Sequence, residues 1–380
     1  MKKIAIITGR RAEYGYSKKI AKLLQKNPDF KVFLIVMNMH LLKKYGLSYK
    51  QIKDDGFKID AVIKTKIKTD TPFEHTKTIG RCIYEMAKTF NKINPDLVLV
   101  SGDPWESFVG AVTASYMNIP FAHIQAGELS GNIDGVVRHA ITKMAHLHFA
   151  ANADAAERVE KMGEQKFRVF NVGAPLLDEV VDTSIDDEFL KELDFNLSEP
   201  IIMVLQHPVS LENKDAGNQM KETMKAVDEL KLQTVVIYPN NEPGSEDIIK
   251  VIEEYKNRNY IRIFKNLPRR KYVTLLKTAK VLVGNSSSGI LEAPTFKLPA
   301  VQIGTREEGR FRASNILDVK YHKKELIVDA IKKALYDKKF KEDLKKCKNP
   351  YGDGKSSERI VSILERTEID DKLLRKNMVY

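Results

Sequence analysis

The chain predicts an α/β fold made of two doubly wound parallel-sheet halves joined by one linker. Three observations carry that expectation. Short apolar runs rich in β-branched residues alternate with amphipathic stretches of helical spacing over most of the 380 residues. Glycine or polar residues follow the ends of the apolar runs, where open parallel sheets bind ligands. The rhythm breaks once, around residues 176–198, into the acidic, proline-ended stretch DTSIDDEFLKELDFNLSEP, and then restarts.

Taken in order, residues 4–8 are apolar or β-branched and stop at Gly9, and 13–25 carry helical spacing. Residues 32–37 form the next strand. PDLVLV (95–100) reads as a buried strand running into SGDP. A helix over 105–117, a strand over 120–124, a helix over 134–145 and a strand over 147–150 follow. This alternation puts helices on both faces of a parallel sheet. After the break, strands are expected at 201–205, ending in QHP, at 234–238, ending in PNN, and at 261–264, 281–283 and 300–303. Helices at 246–255 and 270–278 lie between them, and the tail from Lys323 is helical and lysine-rich. Domains are therefore set at 1–180 and 181–380, with the C-terminal helices able to pack back on the first.

Bulk properties narrow the function. The length exceeds one ordinary core and suits two domains. A chain that is 43% hydrophobic and 30% charged is globular and not disordered. No apolar run reaches the roughly 18–20 residues of a membrane span. The opening MKKIAIITGR lacks a long apolar core and a small-residue cleavage site, so it reads as a first strand and not a signal peptide. Cys82 and Cys347 form no metal or disulfide pattern, which makes a reducing, cytoplasmic setting the default. The net charge of +12 favours anions, yet the lysines are scattered and no nucleic-acid-binding motif is present. Neither a nucleic acid, a membrane nor a metal is expected as a partner.

Several motifs carry chemistry. Asn285-Ser286-Ser287-Ser288-Gly289 follows the strand VLV and opens a helix. Backbone N–H groups, serine hydroxyls and a helix N-terminus suit a phosphate. An N-capping serine before a glycine turn is the plainer alternative. Glu292, one turn on, is placed to accept from ribose hydroxyls or is a solvated helix residue. Gly9-Arg10-Arg11 follows the first strand, and Arg306 and Arg310 follow the last clear one. A guanidinium fork matches phosphate oxygens. The densest ionisable group is HIQAGE, with Gln125 and Glu128, followed by Asp134, Arg138 and His139. Asp134 and Arg138 stand at i, i+4, where a helix ion pair is the structural reading. Asp103 in SGDP and His207 in QHP each end a strand. Such groups supply acid, base and charge stabilisation. On residues alone the reading stops at a nucleotide-dependent α/β enzyme.

In order and spacing, the motifs resemble the UDP-N-acetylglucosamine 2-epimerase family, especially its hydrolysing branch of sialic-acid-type biosynthesis. The carriers are TGRRAEYG (8–15), MNMHLLKKYG (37–46), SGDPWESF (101–108), HIQAGELSGNIDGVVRHAITKMAHLHF (123–149), QHPV (206–209), YPNNEPGS (238–245), GNSSSGILEAP (284–294) and IGTREEGR (303–310). They cover almost the whole chain. The non-hydrolysing branch reads differently at the first loop, the phosphate loop and the histidine motif, which favours hydrolysis.

The resemblance implies a GT-B-like fold, two Rossmann-like domains facing across an interdomain cleft that holds the active site. It also implies the chemistry. The C2 proton of an N-acetylhexosamine has no adjacent carbonyl to acidify it. The nucleoside diphosphate is therefore eliminated across C1–C2, and water adds to the 2-acetamidoglucal, giving N-acetylmannosamine and UDP. No nicotinamide or other cofactor is needed; a base, an acid and cations are. By matching position, Arg11, Asn240, Ser286, Ser287, Glu292 and Arg306 would hold the nucleotide. Asp103, Glu128, Asp134, Arg138 and His207 would line the sugar and scissile bond. Asp103 and Asp134 would transfer protons, with Glu128 in reserve, and His207 and Arg306 would stabilise the departing diphosphate. Gln125 and His139 join the substrate-binding set. Gln125 is a departure, since glutamate is frequent there in the family and an amide cannot act as a base. Four alternatives stay open: a GDP-sugar, a UDP-2,4-diacetamido-6-deoxy sugar of the legionaminic-acid route, a non-hydrolysing epimerase, and a GT-B glycosyltransferase. The resemblance also implies a homo-oligomer, a dimer or a tetramer.

Overall fold

The computed structural model describes residues 1–43, 47–65, 72–129, 134–240 and 243–379, with backbone alone at Ala12, Pro72, Asp134 and Ser210. Two compact units form, one from Met1–Leu129, Ile133–Glu179 and Tyr351–Tyr380, the other from Val180–Pro350.

In the first unit the elements run β1 (Lys2–Thr8), α1 (Arg11–Lys26), β2 (Phe30–Met37), α2 (Tyr49–Asp54), β3 (Ala61–Ile63), α3 (Pro72–Ile93), β4 (Leu97–Ser101), α4 (Trp105–Tyr116), β5 (Phe121–Ala126), α5 (Asp134–Met144), β6 (Leu147–Ala150), α6 (Ala153–Lys161), β7 (Val169–Asn171) and α7 (Leu176–Asp182). Strands β4, β5 and β6 are buried along their whole length, because helices cover both faces. On α1, Ser17, Ile20, Ala21 and Leu24 are buried at the i, i+3, i+4, i+7 spacing of a single face. The parallel sheet runs β3-β2-β1-β4-β5-β6-β7. Its order reverses between β1 and β4, so the loops after these two strands diverge and leave a crevice at the strand ends.

The second unit repeats this plan with α8 (Asp187–Glu192), β8 (Ile201–Leu205), α9 (Ala216–Leu230), β9 (Gln233–Ile237), α10 (Ser245–Glu253), β10 (Ile261–Phe264), α11 (Arg269–Thr278), β11 (Val281–Gly284), α12 (Ser288–Leu291), β12 (Ala300–Ile303), β13 (Ile316–Val319), α13 (Lys324–Tyr336) and α14 (Lys338–Lys345). Its parallel sheet runs β10-β9-β8-β11-β12-β13, with the reversal between β8 and β11. No helix among the described residues is long and apolar enough to cross a membrane.

One expectation changes. The stretch read as a linker is largely helical. Its Asp186 caps α8, accepting from the Phe189 N–H at 3.1 Å, and Phe189, Leu190 and Leu193 are buried in the core of the second unit. Acidic residues there serve helix N-termini, where negative charge is favourable. The C-terminal segment Tyr351–Tyr380, numbered with the second half but read as able to pack back on the first, lies in the first unit. There α15 (Ser356–Arg366) and α16 (Asp371–Leu374) are tied down by non-local contacts. Ile360 and Leu364 share a core with Ile4, Ile20 and Leu24, and Lys2 Nζ donates to the carbonyls of Leu364 and Thr367 at 3.1 and 2.7 Å.

Arg168 is the strongest tie. Fully buried, it donates to the carbonyls of His146, Leu373, Lys372 and Arg375. Arg168→Met leaves these acceptors without their cation. A loss of about 3 kcal/mol is expected, because each buried polar group left unpaired costs about 1–3 kcal/mol. Urea unfolding measures it. A loss below about 1 kcal/mol would show that the carbonyls find other donors.

Candidate active site

In the first unit the residues gather at the β1/β4 reversal. Gly9 ends β1 against the side chain of Glu106 on α4, and a Cβ on Gly9 would overlap Glu106 Cγ. Only glycine permits that approach. One turn into α1, Glu13 reaches back. Its Oε2 accepts from the N–H groups of Gly9 at 2.7 Å and Arg10 at 2.9 Å, the return half of a capping box. Its Oε1 accepts from Ser107 Oγ at 2.9 Å. Arg10 Nε donates to Glu106 Oε1 at 3.3 Å, and Asn38 Nδ2 donates to the same oxygen. Glu106 Oε2 is buried and has no hydrogen-bond partner among the described residues.

Glu106 thus bonds the guanidinium of Arg10, and Glu13 lies near enough to feel both charges. Burial, and then the charge of Glu106, push the Glu13 carboxyl up to about 8, against the pull of Arg10 and the hydrogen bonds. The charge of Glu106 also raises Arg10 above its ordinary value. Arg11, chosen from sequence, is exposed on the first turn of α1.

The next loop carries Asp103. His123, fully buried in β5, sets its turn. His123 Nε2 lies 2.7 Å from the Gly102 carbonyl and Nδ1 lies 3.0 Å from Thr142 Oγ1. Since a carbonyl only accepts, Nε2 carries the proton and Nδ1 accepts from the hydroxyl. Burial lowers this imidazole to about 3, so it stays neutral and positions the turn.

Asp103 Oδ2 accepts from Arg138 Nη2 of α5. The guanidinium of Arg138 thus reaches from its own helix to the adjacent strand end, while the helix pair read for Asp134 and Arg138 falls outside the described residues. The side chain of Asp134 lies outside the described residues. Arg138 Nε and Nη1 are buried and, among the described residues, have no hydrogen-bond partner. His139 is half-buried, and burial lowers its pKa.

Glu128 is buried and anchored. Its Oε1 accepts from Asn152 Nδ2 at 2.5 Å and its Oε2 from Tyr351 OH at 3.4 Å. Asn152 at the same time caps α6, accepting from the Ala155 N–H at 2.8 Å. Glu128 therefore ties the end of β5 to α6 and to the returning C-terminal segment. Gln125 is also buried, with a left-handed backbone at φ +65° and neither amide atom paired among the described residues. The β5–β6 pairing is irregular between Ile124 and Ala126.

In the second unit the reversal lies between His207, after β8, and Asn285, after β11. Gly284 has φ +137°, and a Cβ there would overlap the Leu205 carbonyl, so β11 comes this close to β8 only with glycine. The fully buried Asn285 side chain pins His207 twice. Its Oδ1 accepts from the His207 N–H at 2.7 Å and its Nδ2 donates to the His207 carbonyl at 2.8 Å. The backbone N–H of Asn240 donates to His207 Nδ1 at 3.0 Å. An accepting Nδ1 puts the ring proton on Nε2. Burial, and then Arg306, hold this imidazole well below its usual pKa. His207 is therefore a neutral Nε2–H donor and not a cation.

Arg306 Nη1 lies 3.4 Å from the Asn285 carbonyl and 2.8 Å from Glu307 Oε1, while Arg310 holds the other oxygen of Glu307 at 3.0 Å. Ser286 Oγ accepts from the Ser288 N–H at 3.3 Å. Ser288 Oγ donates to Glu292 Oε2 and accepts from Tyr272 OH at 2.6 Å, and Arg269 Nη2 is 2.6 Å from Glu292 Oε1. Glu292 thus has both oxygens engaged within the protein. Ser287 is half-buried at the N-cap without a side-chain capping bond. The helix expected after NSSSG is a single turn, Ser288–Leu291, followed by a 3₁₀ turn at Ala293–Phe296. So short a helix adds little dipole, and any anion affinity rests on the serines and Arg306.

The structure therefore joins Asp103 to Arg138 and sets Gln125 and Glu128 at one strand end. It gathers His207, Asn240, Ser286 and Arg306 around Asn285. Among the described residues, no three His, Cys, Asp or Glu side chains are grouped to hold a metal ion.

Residues 22–365 match the sequence profile of the family described as UDP-N-acetylglucosamine 2-epimerase. The chain belongs to this family. It is 35% identical to the Legionella pneumophila UDP-N,N'-diacetylbacillosamine 2-epimerase (hydrolyzing), over 100% of both chains. It is 33% identical to the Neisseria meningitidis UDP-N-acetylglucosamine 2-epimerase, over 90% of each. The crystal structure of UDP-GlcNAc 2-epimerase from Neisseria meningitidis bound to UDP-GlcNAc superposes with a TM-score of 0.81 at 18% identity, covering 97% of this chain and 100% of that one. That likeness bears on fold alone and gives the epimerase its GT-B-like class.

In this epimerase, sequence reasoning placed Arg10 in a phosphate-matching motif and gave no site role to Asn38, Glu13 or Glu106. Both glutamates lie inside motifs already singled out. Their local signals were those of helix starts, an acid at the third position of α1 and an acid in the first turn of α4. Nothing local shows that the two meet.

Proposed function

We propose that the protein is a hydrolysing 2-epimerase that converts UDP-N-acetylglucosamine to N-acetylmannosamine and UDP. The observation that carries the reading is Asp103, held by Arg138 on the loop at the β1/β4 reversal, a carboxylate placed at a strand end for proton transfer. Similarity to a hydrolysing relative over both whole chains supports hydrolysis.

A base takes the C2 proton, the C1–O bond breaks, and UDP departs with the electron pair. The 2-acetamidoglucal then gains hydroxide at C1 and a proton at C2 from the opposite face. Asp103 and Asp134 are the proton-transfer groups, Arg138 holds Asp103 in place, and Glu128 anchors the strand end beside them. His207 donates Nε2–H and Arg306 supplies charge to the leaving diphosphate. Arg11, Asn240, Ser286, Ser287 and Glu292 complete the nucleotide set, and His139 joins the sugar-binding residues. No cofactor takes part, and the enzyme works as a cytoplasmic homo-oligomer. A second reading, the same reaction on a UDP-2,4-diacetamido-6-deoxy sugar, is favoured by the name of the Legionella relative.

Proton NMR in deuterated water tests both. Free N-acetylmannosamine carrying deuterium at C2, with one UDP per turnover, is the expected result. UDP-N-acetylmannosamine as product would overturn hydrolysis. Turnover of a UDP-diacetamido sugar alone would select the second reading.

A further inference from the structure

We propose that Gln125 is a specificity-determining residue that reads an acetamido group of the sugar, its Nε2 donating to the acetamido carbonyl while its Oε1 accepts from the neighbouring hydroxyl. The inference rests on the proposed function for its substrate class and on this chain's geometry for the residue.

Among the described non-glycine residues with positive φ, Gln125 is the one inside a strand; Lys231 and Lys297, by contrast, end helices. A left-handed backbone is unfavourable for a residue with a side chain, and such strain persists where the surroundings impose it. The side chain is 2% exposed, yet neither Oε1 nor Nε2 has a partner among the described residues. A buried amide without partners is costly, so backbone and side chain are unfavourable at once. The position is next to the candidate chemistry, since the Gly102 N–H donates to the Ile124 carbonyl at 2.9 Å. That bond places Gln125 beside the turn carrying Asp103. Arg138, paired with Asp103, likewise has two buried unpaired donor positions. A carbonyl oxygen is the acceptor such donors lack. A carboxylate at position 125 would offer no donor and would repel that carbonyl.

The test is calorimetric binding of UDP-N-acetylglucosamine, UDP-glucose and UDP to the chain with its wild-type Gln125, with Gln125→Gly and with Gln125→Glu, all three carrying Asp103→Asn so that the sugar is not turned over. The chain with Gln125 is expected to favour the acetamido sugar over UDP-glucose by about tenfold or more, the loss when a buried donor is left unpaired. In Gln125→Gly that preference collapses while Tm rises, because glycine relieves the backbone. Stability gained together with discrimination lost is a signature that a packing role would not produce. Gln125→Glu is expected to bind the acetamido sugar poorly at neutral pH and to regain affinity as the pH falls and the carboxyl protonates. A preference kept intact in Gln125→Gly would overturn the inference and leave the proposed function standing. Failure of the wild type to bind any UDP-sugar would overturn both.

Discussion

Asp103→Asn is expected to cut kcat by roughly 10²–10⁴-fold, the range of a positioned acid or base, while UDP still binds. The asparagine keeps the shape and an acceptor oxygen, so the turn held by His123 survives. It cannot take up a proton. A second effect must be separated from the first. Asp103 pairs with an Arg138 side chain that is only 6% exposed, and its own side chain is 22% exposed. Removing the carboxylate strands a buried cation, which costs up to about 3 kcal/mol once partial exposure is discounted. The double variant Asp103→Asn/Arg138→Gln removes both charges and is expected to recover stability in urea without recovering turnover. If turnover returned with stability, Asp103 would be a counterion and not a proton-transfer group. Loss of UDP binding in the single variant would assign it a structural role.

The wild type is expected to lose stability between about pH 5 and pH 8 relative to Glu106→Gln. The Glu13 carboxyl sits at about 8 in the folded chain against an ordinary 4.5. Below 4.5 both states hold the proton and nothing changes. Between the two values the unfolded chain releases it and the folded chain keeps it, so stability falls as pH rises. Above 8 the loss is complete. Removing the Glu106 charge lowers the Glu13 pKa and shortens the window.

The buried histidines act in the opposite sense. His123 is lowered to about 3, and His40 and His146 to about 4, so each adds stability as pH rises toward 6.5. They are common to both proteins and cancel in the difference. Urea unfolding at pH 5, 6.5 and 8.5 measures that difference. Parallel pH dependences in the two proteins would show that the carboxylates do not interact.

Periodicity alone located most of the elements that position the site. Residues 147–150, 201–205, 261–264 and 300–303 are strands at the bounds expected. Strand and helix patterns are properties of a few consecutive residues, and glycines at strand ends mark where loops must turn sharply. The three-residue strands β3 and β7 escaped because they are too short to show a period. The helical nature of the presumed linker escaped because capping acids and linker acids have the same composition.

What determines the chemistry is who meets whom, and there local reasoning fails. Arg138 pairs with Asp103, 35 residues away. Arg10 and Glu106 are 96 residues apart, and Glu128 leans on Tyr351 across 223. The sequence by itself determined two doubly wound parallel sheets, their strand ends and the family. Only the tertiary structure decided that Glu13 and Glu106 meet beside Arg10, that His207 is neutral with its proton on Nε2, and that Gln125 is buried with no partner among the described residues. The physical reason is that burial and charge pairing depend on distances between segments that the topology brings together, and no spacing along the chain encodes those distances.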